Sequence, residues 1–192
     1  MSLRPRPAAA PGRIDRDLAD VRAAQRDRAA FATLYRRYLD RVYGYCFYLL
    51  GDHHDAEDAT ERTFLSALAA IDRYRDEGAS FRSWLFRIAH NQLANVLRAR
   101  ARQRAAPLDE VAEPGIAASD PARLVDLADE VHRLRAAVGS LSDDRRQVVV
   151  LRFVDGLSAR EIGEVLGRSE GAVRVLQHRA LRELAGILGR AG

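Results

Sequence analysis

Apolar residues in this chain return every three or four positions, never in the strict alternation of a half-buried strand. Phe31, Leu34, Tyr35, Tyr38, Leu39, Val42 and Tyr43 share one helical face. Ala56, Ala59, Thr63, Phe64, Leu65, Leu68 and Ile71 make a second stripe. Phe81, Trp84, Leu85, Ile88, Leu93, Val96 and Leu97 make a third. A stripe of that period becomes a continuous apolar surface only on a helix, so the pattern predicts an all-α fold.

The breaks in the rhythm divide the chain. Residues 1–13, rich in Pro, Ala and Arg, read as a disordered tail. Residues 14–103 read as one helical domain, interrupted at Gly51-Asp52 and by a loop over 75–80. Carboxylates at Asp52, Asp55, Glu57 and Asp58 suit the positive end of a helix starting near Asp52 or His53. Residues 104–119 lose periodicity and gain Pro107, Pro114 and Gly115, which predicts a flexible linker. A second helical domain is expected over 120–188, opened by an N-cap and proline at Asp120-Pro121. Within it, Ser142 marks a helix start and Gly156 a stop. Ser158 and Glu161 fit a capping box, Gly167 ends that short helix, and Ser169 is placed to cap the last one. Val173, Leu176, Ala180, Leu181 and Leu184 form the last helix's apolar stripe.

Several function classes are disfavoured. The longest apolar run, Val42 to Leu50, is too short to cross a bilayer, and the N-terminus lacks the apolar centre of a signal peptide. The single cysteine, Cys46, sits in an apolar helical run and reads as a buried small hydrophobe; a cytoplasmic location is expected. His53, His54, Asp55 and Glu57 lack metal-ligand spacing. No nucleophile motif, phosphate-cradling glycine loop or dinucleotide fingerprint is present, so neither enzymatic activity nor a cofactor is expected.

Three constellations point elsewhere. The helix-turn-helix spacing from Ser158 to Leu184 presents Arg174, Gln177, His178, Arg179 and Arg182, which suit base edges and phosphates; a helical hairpin with a solvated basic face fits the same spacing. Between Gly78 and Leu108 there is no Asp or Glu, while Arg82, Arg87, Arg98, Arg100, Arg102 and Arg104 accumulate. One sign of charge along a helix suits a polyanion. Trp84 at its start could stack on bases or belong to the core. Asp52, Asp55, Glu57, Asp58 and Glu61 make an acidic face suited to a basic protein, or an ordinary solvated surface.

Together, DAEDATERTFLSAL (55–68), FRSWLFRIAHN (81–91) and LSDDRRQVVVLRFVDGLSAREIGEVLGRSEGAVRVLQHRAL (141–181) resemble the extracytoplasmic-function (ECF) branch of the sigma-70-type sigma factors. The resemblance spans roughly residues 30–188 and implies two helical domains, sigma region 2 and sigma region 4, joined by the linker. It implies a non-enzymatic transcription initiation factor that binds core RNA polymerase, through the β′ clamp helices and the β flap, and promoter DNA. An anti-sigma factor is a further implied partner; membrane contact is not. By position, Asp55, Asp58, Glu61 and Phe64 match the polymerase-docking helix. Arg75, Asp76, Ser80, Trp84, Arg87, His90, Asn91 and Arg98 match the part that melts and reads the −10 element. Arg152, Ser169, Gly171, Arg174, Val175, His178 and Arg179 match the −35 reader. The chain departs from the family pattern at Glu61, where Gln is usual, at His90, where Arg is common, and at Val175-Leu176, which replace a more polar pair. Two rival readings remain at this stage: a repressor or activator using only the C-terminal helix-turn-helix, and a helical enzyme or metal protein.

Overall fold

The computed structural model describes residues 11–76, 79–105, 133–134 and 136–189. The expected linker from residue 106 onward and the Asp120-Pro121 helix start lie outside the described residues. Every regular element among those described is helical. The first domain holds α1 (Pro11–Arg26), α2 (Phe31–Leu50), α3 (His53–Ala70) and α4 (Phe81–Ala105). The second holds a helical segment over 136–140, α5 (Asp143–Val149), a wider π-type turn at Val150–Val154, α6 (Ala159–Leu166) and α7 (Glu170–Leu188). Helix α1 begins inside the expected tail, with Pro11 first, and α4 runs two residues into the expected linker.

Local chemistry explains the boundaries. Gly51 ends α2 in the left-handed region, at φ 69°, and Asp52 then caps α3 by accepting from the Asp55 amide at 2.9 Å. Ser158 and Glu161 form the expected capping box of α6, and Ser169 accepts from the Ala172 amide at 3.2 Å to cap α7. Ser142 precedes α5 without a side-chain cap; Asp143 and Asp144 occupy the first turn instead.

Tyr38, Tyr45, Leu34, Ile71, Leu85, Phe86 and Leu93 are fully buried in the first domain, with Tyr45 edge-on to Phe86 at 5.6 Å. Cys46 is buried among them, and burial pushes its thiol up to about 12, which leaves it inert. The stripes predicted from spacing were too wide. Tyr35, Leu65, Leu97 and Leu181 are exposed, because each directly follows another apolar residue on its helix and a one-residue step turns through ~100°.

The two domains share one core. Val148, Val150, Leu151, Leu157, Ile162, Val165 and Val173 belong to the same buried cluster as the residues of α1–α4. A small second cluster, Ala137, Leu141, Val149, Ala180 and Leu184, closes the far side of the second domain. The start of α4 therefore lies against α6.

Candidate nucleic-acid interface

Helices α6 and α7 meet at Gly167-Arg168-Ser169, with Gly167 at φ 65°. The turn is tight: a Cβ built on Gly163 would lie 2.5 Å from the Arg168 carbonyl oxygen. Val173, Ala180 and Leu184 anchor α7 inward, while Gly171, Arg174, Val175, His178, Arg179 and Arg182 are exposed. Arg174 pairs with Glu170 one turn away at 2.5 Å, so its guanidinium is already directed along the helix toward its N-terminus. Val175 is 50% exposed, an apolar spot suited to a thymine methyl group rather than a polar base edge. Arg152 donates to the Leu157 carbonyl at 2.9 Å and braces the loop entering α6. The structure thus gathers the six residues predicted on or beside α7 at one end of the domain and gives Arg152 a scaffold contact.

On α4, Arg87, Asn91, Asn95, Arg98 and Arg102 are exposed at helical spacing and form one basic and amide-bearing face. Arg98 is steadied by bonds to the Ala94 carbonyl and the Asn95 side chain. Trp84 is half-buried, 5.2 Å from Tyr74 and 5.5 Å from Phe81, so it is both core and partly accessible. Arg75 donates to the Asp72 and Tyr74 carbonyls, and Gln25 ties the Ile71 and Tyr74 carbonyls from α1. These bonds shape a recess of about 530 Å³ lined by Arg22, Gln25, Tyr74, Arg75 and Asp76. His90 turns inward instead, toward the Tyr45 hydroxyl at 3.4 Å, and burial lowers its pKa; it is a neutral half-buried ring rather than a phosphate-binding cation.

Two arginines of the acid-free run leave this face. Arg100 reaches the Leu50 carbonyl at 2.9 Å and pairs with Asp55. Asp55 is thereby engaged within the bundle, whereas Asp58 and Glu61 are exposed. Phe64, expected to face a partner, is only 5% exposed and meets Tyr35 edge-on at 4.8 Å. It floors a groove of about 710 Å³ that also takes in Tyr35, Leu39, Leu65 and Leu68, with Asp40, Glu57, Asp58 and Glu61 along it. Sequence reasoning had assigned Leu65 to the core; at 58% exposure it is the most open large apolar residue described.

The other departing arginine, Arg82, enters the seam between the domains, which no sequence pattern announced. Its Nε donates to Glu161 at 3.0 Å and its Nη2 to the same carboxylate, with side chains only 6% and 14% exposed. Ser80 donates to Glu161 at 3.1 Å and Ser83 to Glu164 at 2.6 Å. Burial pushes the Glu161 carboxyl upward, but the bonds from Arg82 and Ser158 outweigh it and hold it below the usual range. Ser80, predicted to face DNA, faces α6.

Asp155 shares the seam. Its carboxylate is wholly buried, Arg41 Nε stands 3.7 Å away, and neither oxygen has a hydrogen bond among the described residues. Burial raises its pKa to about 8, only partly opposed by Arg41 and Arg82, with neutral Tyr45 and Cys46 beside it. An exposed Asp155 would titrate near the ordinary value of ~3.9. Contact between the domains therefore favours the protonated form. That contribution is complete below the ordinary carboxylate range and is lost as the pH rises through about 8. Raising the pH from 6 to 8 is expected to weaken the contact by roughly tenfold per pH unit. The radius of gyration should grow with pH in the native chain and stay flat in Asp155→Asn; identical profiles would refute this role.

The chain matches two families in order: Sigma-70 region 2 over residues 34–103 and Sigma-70, region 4 over residues 132–184. It is 35% identical over 167 residues to the ECF RNA polymerase sigma factor BldN of Streptomyces coelicolor, covering 87% of this chain and 63% of BldN. It is 37% identical over 137 residues to the ECF RNA polymerase sigma factor SigD of Mycobacterium tuberculosis, covering 71% of this chain and 65% of SigD. The chain thus spans about two thirds of the length of these relatives. Its fold is similar to that of CnrH, solved in complex with the cytosolic domain of CnrY, with a TM-score of 0.70 and 26% identity over 92% of this chain and 99% of that one. The two matched regions cover more than half of the chain and coincide with its two helical domains, so the chain belongs to the sigma-70 family, in its extracytoplasmic-function branch.

Proposed function

We propose that this chain directs RNA polymerase to promoters by reading a −35 element with α7 and a melted −10 element with α4 and the 75–80 loop, in the cytoplasm and without catalysis of its own. One observation carries the proposal: a single chain presents two separate cationic faces and, between α2 and α3, an apolar groove edged with carboxylates. The cationic faces attract nucleic acid; the acidic groove repels it and suits a basic protein surface. Arg174 and Arg179 reach guanine edges, and Ser169 and Gly171 place the α7 N-terminus against a phosphate. Opening a duplex is costly, and a base turned into the recess beside Arg75 and Asp76 offsets part of that cost. Trp84 stands near it to stack. Arg87, Asn91 and Arg98 follow the strand backbone. Asp58, Glu61 and the Leu65 side of the groove dock on the β′ clamp helices, while the second domain meets the β flap. An anti-sigma factor covering this groove would compete with polymerase.

Run-off transcription with core enzyme and a promoter library tests the proposal; its failure, alongside tight operator binding by the chain alone, would favour a polymerase-independent regulator. Arg174→Ala and Arg179→Ala are each expected to weaken −35 recognition by roughly 1–3 kcal/mol if the contact is bidentate to a base. Both side chains are exposed, so helicity should be unchanged. Native transcription from a cognate promoter in both variants would refute the recognition face.

A further inference from the structure

We propose that Val175 reads the C5 methyl group of one pyrimidine at the centre of the −35 contact, so that α7 selects thymine over uracil there, and 5-methylcytosine over cytosine. This deepens the promoter-reading function proposed above and rests on it.

The side of α7 that points away from the protein is not uniformly polar. Gly171, Val175, His178 and Arg182 are all exposed and recur every three or four residues, so they form the outward ridge of the helix. Arg174 and Arg179, also exposed, stand on its two sides. Val175 is thus the apolar centre of a face otherwise set with arginine and histidine. It lies in the second turn of α7, in the N-terminal part of the helix that reaches base edges when a braced helix enters the major groove.

That centre is built for a methyl group. The valine side chain is stiff, with one strongly preferred rotamer in a helix, so contact orders little more. It is also unobstructed: side chains on a helix lean toward its N-terminus, and the residue one turn back is Gly171, where nothing lies within 4 Å of a Cβ position. The adjacent guanidinium is drawn away, since Arg174 pairs with Glu170, one turn toward the N-terminus, at 2.5 Å.

The major groove offers such a surface few partners. Thymine presents a methyl group beside its O4 acceptor; cytosine presents its N4 donor without one, and the purines present N7 and a polar substituent. Against thymine, Val175 covers one methyl group, worth about fourfold in affinity. Against the other edges it displaces water from a polar group and returns no hydrogen bond, which counts against those bases. 5-Methylcytosine carries its methyl group where thymine does, and valine has no polar atom with which to tell O4 from N4. Methylation of a cytosine at this position is therefore read as a gain of contact. A polar side chain here would bond the base edge and would not register the methyl group.

The test uses holoenzyme assembled from core polymerase and the full chain, and a duplex promoter selected by run-off from the library. Each −35 thymine, on either strand, is replaced in turn by deoxyuridine, which removes the methyl group alone. Native holoenzyme is expected to lose about fourfold in affinity at one position and little elsewhere. With cytosine placed at that position, C5 methylation should tighten binding by a similar factor. In Val175→Ala both differences should fall below about twofold, because the γ-methyl groups that meet the base have gone. The substitution puts a strong helix former at an exposed site, so circular dichroism should be unchanged. Equal weakening of thymine and uracil duplexes in Val175→Ala would mean a structural role or a contact with polymerase, and overturns the proposal. Methyl dependence that persists in the variant, or a −35 element with no methyl-sensitive position, overturns it as well. Run-off by the native chain is scored separately. Transcription without methyl dependence defeats the methyl reading alone; absence of transcription from every promoter defeats the function it rests on.

Discussion

Leu65→Asp is expected to lower the affinity for core RNA polymerase by roughly a hundredfold while leaving thermal stability almost unchanged. Leu65 is 58% exposed and lies in the groove floored by Phe64, so its methyl groups are available to a partner and contribute little to the core. Burying a leucine against a partner is worth about 1.5–3 kcal/mol. A carboxylate in its place forfeits that gain and adds a fourth acid to Glu57, Asp58 and Glu61 within about two turns of helix. Central interface residues commonly lose 2 kcal/mol or more on truncation. Titration of labelled chain with core enzyme measures the affinity, and the melting midpoint measures the fold. Native affinity with a native melting midpoint would remove this groove as the docking surface. Reversing Asp55, which matches the docking helix by position, is a poorer probe of this surface, because it also breaks the ion pair with Arg100 inside the bundle.

Gly163→Ala is expected to destabilise the second domain by about 1–3 kcal/mol, the usual range for forcing an extra carbon into a packed site. The obstacle is backbone: the Arg168 carbonyl oxygen at 2.5 Å from the added Cβ, with the Glu170 amide nitrogen at 3.6 Å. A flexible side chain could swing aside, but a carbonyl in the turn can retreat only if α7 moves relative to α6. The loss should therefore appear twice, as a lower melting midpoint and as weaker −35 binding at temperatures where the variant remains folded. For the melting midpoint alone, Gly171→Ala provides the contrast, since no atom lies within 4 Å of a Cβ there. Native behaviour of Gly163→Ala in both measurements would mean that the turn is looser than described.

Much of this was legible in the residues. The three- and four-residue spacing gave the helices, and the Ser158–Glu161 and Ser169 caps fell where their chemistry placed them. The exposed residues of α7 were readable because a helix braced by Val173, Ala180 and Leu184 leaves the positions between them open. Assignments failed where neighbouring apolar residues competed for one face. Phe64 and Leu65 were both counted apolar; the pairing of Phe64 with Tyr35 and Phe31 drew it inward and turned Leu65 out. The surroundings of His90 were illegible for a different reason: they are supplied by Tyr45, 45 residues away. Gly163 carried a weak signal, a glycine inside a helical stripe, whose meaning emerged only from the turn that crosses it.

By itself the sequence determined the helices, their caps, the split into two regions and the signs of their surfaces. Those depend on interactions within a few residues, where spacing along the chain is also spacing in space. Only the tertiary structure decided which arginines face solvent and which meet a carboxylate. Arg82 and Arg87 look alike in a run without acids, yet one is buried on Glu161 and the other exposed, because α6 covers the first turn of α4 and stops short of the second. An ion pair across 79 residues leaves no periodic trace in either segment; it exists only once both helices have been brought together by a shared core.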